Sequence, residues 1–129
     1  MVRTADDVPT IVVCEPKHAD ATRGRLAGTG AEVLAAGGLP DALRELAARG
    51  VTSMLVEGGA GLANALLDAD LVDRVYWIKA PRWMGAGTAA FRRPATSLDE
   101  KAGWRFVERR ALGDDTLLVI ERGECSPES

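Results

Sequence analysis

Glu57 is followed by two glycines and, two residues on, by a third, in the run Met54-Leu55-Val56-Glu57-Gly58-Gly59-Ala60-Gly61-Leu62. An apolar stretch that ends in one acid and then a glycine turn reads as a buried strand turning tightly into a helix. That geometry sets a carboxylate and several free backbone N–H groups at one mouth of a sheet, where open α/β sheets bind ligands. The first N–H groups of a helix lack intrahelical partners and its dipole favours an anion, so phosphate is drawn to such a turn. The chemistry implied is recognition of a phosphorylated small molecule or dinucleotide, with Glu57 facing a polar partner. Gly59-x-Gly61 also invites a Rossmann reading. Against it, Asn64 stands where the third glycine belongs, and the next strand ends Ile78-Lys79-Ala80-Pro81 without the acid that would hold a ribose.

The elements around this turn alternate short apolar runs with helical patterns, the signature of βαβ units and a parallel sheet. Thr10 to Cys14 reads as a strand, Asp20 to Ala27 as a short helix stopped by Gly28, and Glu32 to Leu34 as a second strand. Pro40 opens a helix whose apolar stripe is Leu43, Leu46 and Ala47, and Gly50 ends it. Thr52 to Glu57 is the next predicted strand, and Leu62, Leu66 and Leu67 give the following helix a buried face. From Asp73 the pattern changes. Val75 to Ile78 is a strand closed by Pro81, and a long glycine-containing loop runs from Arg82 to Lys101. Trp104–Ala111 and Thr116–Arg122 pair through a turn at Gly113-Asp114-Asp115. The expected fold class is α/β, with a mostly parallel βαβ front and an antiparallel C-terminal hairpin. Residues 1–122 form one domain in this reading, and 123–129 a polar, disordered tail.

Composition narrows the function. The 129 residues are 47% apolar and 27% charged, ordinary values for a globular domain with one modest core. A net charge of −3 leaves no basic footprint for nucleic acid, and the few aromatic residues do not interleave with Lys or Arg. No apolar run approaches the ~20 residues of a spanning helix, and the first seven residues are too polar for a signal peptide. Cys14 and Cys125 lie far apart and read as free thiols of a reducing cytoplasm. A single histidine, His18, without a Cys-x-x-Cys pair makes a structural zinc site improbable. His18, Asp73, Tyr76, Trp83 and the Glu108-Arg109-Arg110 run are most simply solvated, capping or core residues, and Cys14 a small buried hydrophobe.

The run Val56-Glu57-Gly58-Gly59-Ala60-Gly61-Leu62 is followed in order by Asp70-Leu71-Val72-Asp73-Arg74-Val75 and Ala80-Pro81-Arg82-Trp83-Met84-Gly85. With this order and spacing the chain resembles the reductase domain of the bifunctional riboflavin-biosynthesis deaminase/reductase, a relative of dihydrofolate reductase. The resemblance runs from about Thr10 to about Arg122. It implies a dihydrofolate-reductase-like fold and an NADPH-dependent reduction of a ribosylamino group to ribitylamino. The substrate would be 5-amino-6-(5-phosphoribosylamino)uracil or its diaminopyrimidine counterpart. It further implies that Gly59, Ala60, Gly61, Leu62, Ala63, Asn64 and Ala65 hold the cofactor pyrophosphate and that Glu57 contacts substrate. Gly58 would then join Gly59 through a cis peptide, Lys17 beside His18 would face the adenosine 2′-phosphate, and Gly85 would line the nicotinamide end. No residue is singled out as the proton donor.

Family members dimerise through the antiparallel region, which makes Trp77 and Trp104 the expected anchors of a homodimer. Relative to that family the chain is expected to lack the first third of the reductase domain, with its first two strands, and the zinc-dependent deaminase domain. A rewired sheet, pairing with another chain, and a fragment of a longer product are all open. So are a non-catalytic nucleotide-binding or interaction module, and a pterin reductase of the same fold.

Overall fold

Two short strands, the first rich in β-branched residues and each followed by a helix, build the first half of the molecule. Strand β1 (Ile11–Cys14) pairs in parallel with β2 (Glu32–Ala35), Ile11 opposite Glu32 and Cys14 opposite Ala35. Parallel strands need a crossover connection, here a 3₁₀ turn over Pro16–His18 and helix α1 (Ala19–Arg25), which packs on β2. The ladder is extended by Glu32 N–H to the Thr10 carbonyl and Ala36 N–H to the Cys14 carbonyl, both 2.9 Å. Helix α2 (Leu39–Ala48) follows, with Pro40 in its first turn as the sequence implies. The computed structural model describes residues 5, 7–83, 85–87, 89–90 and 103–123.

Helix α2 stops where Gly50 takes a left-handed φ of 88°. Gly50 N–H donates to the Ala47 carbonyl at 2.9 Å and Val51 N–H to the Leu46 carbonyl at 3.1 Å. Those two bonds satisfy the last helical carbonyls in a Schellman arrangement. Helix α3 (Ala60–Asp68) ends the same way, through Asp70 N–H to Leu67 and Leu71 N–H to Leu66, but with Asp70 at φ 62° in the glycine position. The Asp70 carboxylate pairs with Arg122.

The second half is an antiparallel sheet in the order β3 (Arg74–Lys79), β5 (Asp115–Arg122), β4 (Trp104–Leu112). Gly113, at φ 59°, opens the two-residue turn between β4 and β5, as a tight hairpin with glycine first requires. The central strand supplies the core: Ile120 is fully buried, with Leu117 and Val119 nearly so. A bulge at Val107 interrupts the β4–β5 register between Phe106 and Glu108. Across the sheet, Glu121 pairs with Arg74 on one side and with Arg105 at 3.0 Å on the other. The chain divides into two compact units, Met1–Leu55 and Val56–Ser129.

One expected strand is not formed. Val51 to Gly59 carries no regular secondary structure and is exposed along its length. β-branched sequence makes a strand only against a ladder partner, and none lies beside Thr52 to Glu57 among the described residues. The Arg82–Lys101 loop has no helix or strand where it is described; Met84, Thr88 and residues 91–102 lie outside the described residues, as does the expected tail beyond Gly123. No helix among the described residues is long and apolar enough to cross a membrane.

Candidate functional site

The glycine turn keeps its helix and loses its sheet. Gly59 is the N-cap of α3 in an extended conformation (φ −69°, ψ 175°), and no side chain caps the helix. The N–H groups of Ala60, Gly61 and Leu62 therefore have no partner among the described residues, and the first turn carries no acidic side chain to compete for them. A Cβ built on Gly59 or Gly61 meets nothing within 4 Å, so the bare backbone is open to close approach. Ala63 differs: its N–H already donates to the Gly59 carbonyl at 3.1 Å.

Gly58 is glycine for a steric reason. A Cβ there would lie 2.8 Å from Leu62 Cδ2 and 3.0 Å from Leu62 Cβ. The Gly58–Gly59 peptide is trans, against the expectation of a cis bond. A cis bond outside proline costs about 3–4 kcal/mol and persists only where surrounding structure enforces it, whereas this turn is exposed on both sides. Glu57 is exposed two residues before the cap, on a segment that is not a strand, so no sheet mouth forms around it.

The other expected residues fall into different settings. Lys17 sits on the 3₁₀ turn of the first unit, where its ammonium pairs with Glu15 at 2.5 Å; an anion there must compete with that carboxylate. His18 ends the same turn and is exposed. Gly85 lies beyond Pro81 with a left-handed φ of 68° and is exposed. Leu62 and Ala65 lie on exposed positions of α3, while Asn64 turns inward and is 6% exposed.

Motif reading assigns Asn64 to the cofactor and misses its contact with the chain itself. Its Nδ2 donates to the Ala60 carbonyl at 2.6 Å and to the Ala90 carbonyl at 3.0 Å, tying α3 to the segment that follows β3. The available signal was a polar residue inside an otherwise apolar stripe of Leu62, Leu66 and Leu67. Trp104 also departs from expectation. It is 6% exposed, with the Arg122 guanidinium 5.4 Å from its ring centroid, so it serves this chain's own core and cannot anchor an interface. Trp77 remains exposed, together with Tyr76, Ile78 and Phe106. The Arg74 guanidinium, held by the Tyr76 hydroxyl and by Glu121, is pushed above its ordinary value and stays charged at any working pH.

Two open depressions, of about 440 and 390 Å³, lie on the antiparallel sheet and share Arg109 and Leu118; neither borders Glu57 or Gly59. Among the described residues no group of three His, Cys, Asp or Glu side chains converges as a metal site requires.

Comparison with known proteins follows the same lines. The model of the RibD C-terminal domain family matches residues 2–118. The riboflavin biosynthesis protein RibD of Haemophilus influenzae is 33% identical over 83 residues, 63% of this chain and 22% of that protein. RibD of Corynebacterium ammoniagenes is 41% identical over 59 residues, 46% of this chain and 18% of that protein. The chain thus spans about a fifth of the length of these relatives. Among solved structures, RibD of Acinetobacter baumannii superposes with a TM-score of 0.71 at 23% identity, covering 87% of this chain and 30% of that one, a likeness of fold.

Proposed function

The chain belongs to the RibD C-terminal domain family; from that premise we propose that it is an NADPH-dependent pyrimidine reductase domain of riboflavin biosynthesis. In this reading a phosphorylated pyrimidine bearing a ribosylamino group is reduced to the ribitylamino form. The observation that carries it is the uncapped start of α3, where three free amides and two side-chain-free glycines follow Glu57.

These residues fit a dinucleotide. Free N–H groups at a helix start donate to phosphate oxygens, and bare glycine backbone lets them come close. Gly59, Ala60, Gly61 and Leu62 would hold the pyrophosphate. Ala63, Asn64 and Ala65 support that turn as helix rather than contacting the ligand. When bound, NADPH supplies the hydride, and the protein's task is to bind and orient. Glu57, exposed and acceptor-only when ionised, would take hydrogen bonds from ribose hydroxyls or pyrimidine N–H groups. Gly85 offers a bare backbone for the nicotinamide end.

A cytoplasmic homodimer completes the reading, supported by the free Cys14 thiol and by exposed Trp77, Ile78 and Phe106 on the antiparallel sheet. Titration of the full chain with NADPH and NADH, followed by nucleotide fluorescence, tests the core of it. Saturable binding that favours NADPH is expected. Absence of binding by a chain shown folded by circular dichroism would sink the cofactor assignment.

A further inference from the structure

Asn64 is the only polar side chain buried among the described residues. Burying an amide inside an apolar stripe is costly unless its hydrogen bonds are made, and a leucine would fill the same face without that demand. One Nδ2 bond, to Ala60, stays within the helix and does nothing a plain helix lacks. The other reaches the carbonyl of Ala90, 26 residues on, in the segment that leaves β3 and passes Gly85. A helix start used for ligand recognition must be fixed against the loop that shares the ligand, because free amides on a shifting element lose their alignment.

We propose that Asn64 is a positioning residue whose buried amide pins the segment ending at Ala90 to the first turn of α3, holding Gly85 and the free amides of Ala60–Leu62 in one arrangement. The ligand consequence rests on the reading that α3 receives the NADPH pyrophosphate; the pinning itself does not. Asn64 touches no phosphate in this assignment.

The test uses the full chain with two variants. Asn64→Ser keeps a hydroxyl able to bond back to Ala60 but too short to reach Ala90. Trypsin cleavage after Arg82, in the exposed stretch between β3 and Ala90, is expected to speed up severalfold well below the melting temperature, because the bond that holds this stretch to α3 is gone. NADPH affinity should fall by about threefold to tenfold. Leu66→Val trims a 4% exposed side chain on the same helix and breaks neither bond. It should lower thermal stability while leaving both cleavage after Arg82 and affinity per folded molecule as in the parent. Parental cleavage in Asn64→Ser, or the same two shifts in Leu66→Val, would overturn the proposal. If the parent binds no nucleotide, the cofactor reading fails, and the cleavage comparison still decides whether Asn64 pins the segment.

Discussion

Strand β1 of the parallel pair and strand β5 of the antiparallel sheet both carry β-branched residues, yet they bury them to different degrees. In β1, Ile11 and Val13 are 37% and 45% exposed; in β5, Val119 and Ile120 are 4% and 0% exposed. The difference lies in neighbours. β5 is paired along both edges, whereas among the described residues β1 has one partner of four residues. A two-stranded sheet is marginal alone, and three strands with an apolar face are the smallest independently stable unit. The antiparallel sheet therefore carries the stability of its unit, and the parallel pair is the weaker scaffold.

That contrast is broken most directly by truncating one residue on each side. Ile120→Ala should cost about 2–5 kcal/mol, since a fully buried side chain leaves a cavity that the sheet cannot close. Val13→Ala, half in solvent already, should cost under about 1 kcal/mol. Urea unfolding of the two variants measures the gap, and equal losses would show that β1 is as well packed as β5.

The second contrast sits inside the candidate site, between adjacent glycines. Gly58→Ala should destabilise by about 1–3 kcal/mol, because the new methyl would lie 2.8 Å from Leu62 Cδ2 and 3.0 Å from Leu62 Cβ, and the Cβ cannot turn away. Gly59→Ala has open space and an extended backbone, so its fold should survive while nucleotide affinity falls through a blocked approach to the helix amides. Thermal melts paired with NADPH titration separate the two. A destabilised Gly59→Ala would recast that glycine as structural as well.

What the sequence discloses follows from how local its cause is. The β4–β5 hairpin is legible because Gly113 sets the turn and the strands flank it, and α2 is legible because Pro40 and Gly50 mark its ends. The glycine turn before α3 is local too, and the free amides follow from it. Thr52 to Glu57 is misread for the opposite reason: a strand depends on a partner that the run itself does not contain. Trp104 looks like a surface anchor until the register brings Arg122 opposite it. Asn64 reads as a ligand residue from its motif alone, and its hydrogen bond to the Ala90 carbonyl, 26 positions away, is invisible there.

The two helix ends give a finer comparison, one Schellman turn closed by Gly50 and the other by Asp70. Gly50→Ala should cost about 1–2 kcal/mol, the penalty for a side chain at left-handed φ. Asp70→Gly relieves that strain but gives up a solvent-exposed ion pair with Arg122 worth at most about 1 kcal/mol, so the two effects nearly cancel. Measured midpoints should drop for Gly50→Ala and hold within error for Asp70→Gly. A large loss in Asp70→Gly would make the Arg122 contact the stronger term.

The smallest effect expected is the most telling about the missing strand. Leu55 is 72% exposed and Met54 50%, in a segment with no ladder partner among the described residues. Leu55→Lys should change unfolding free energy by no more than about 0.5 kcal/mol, as for surface substitutions that break no contact. It should also reduce self-association at high concentration, since an exposed apolar run with unpaired backbone is a template for pairing between chains. Sedimentation reads the association and urea the stability. A loss of several kcal/mol would mean that Val51–Leu55 is paired in solution, and the weaker half of the molecule would gain the third strand that its sequence calls for.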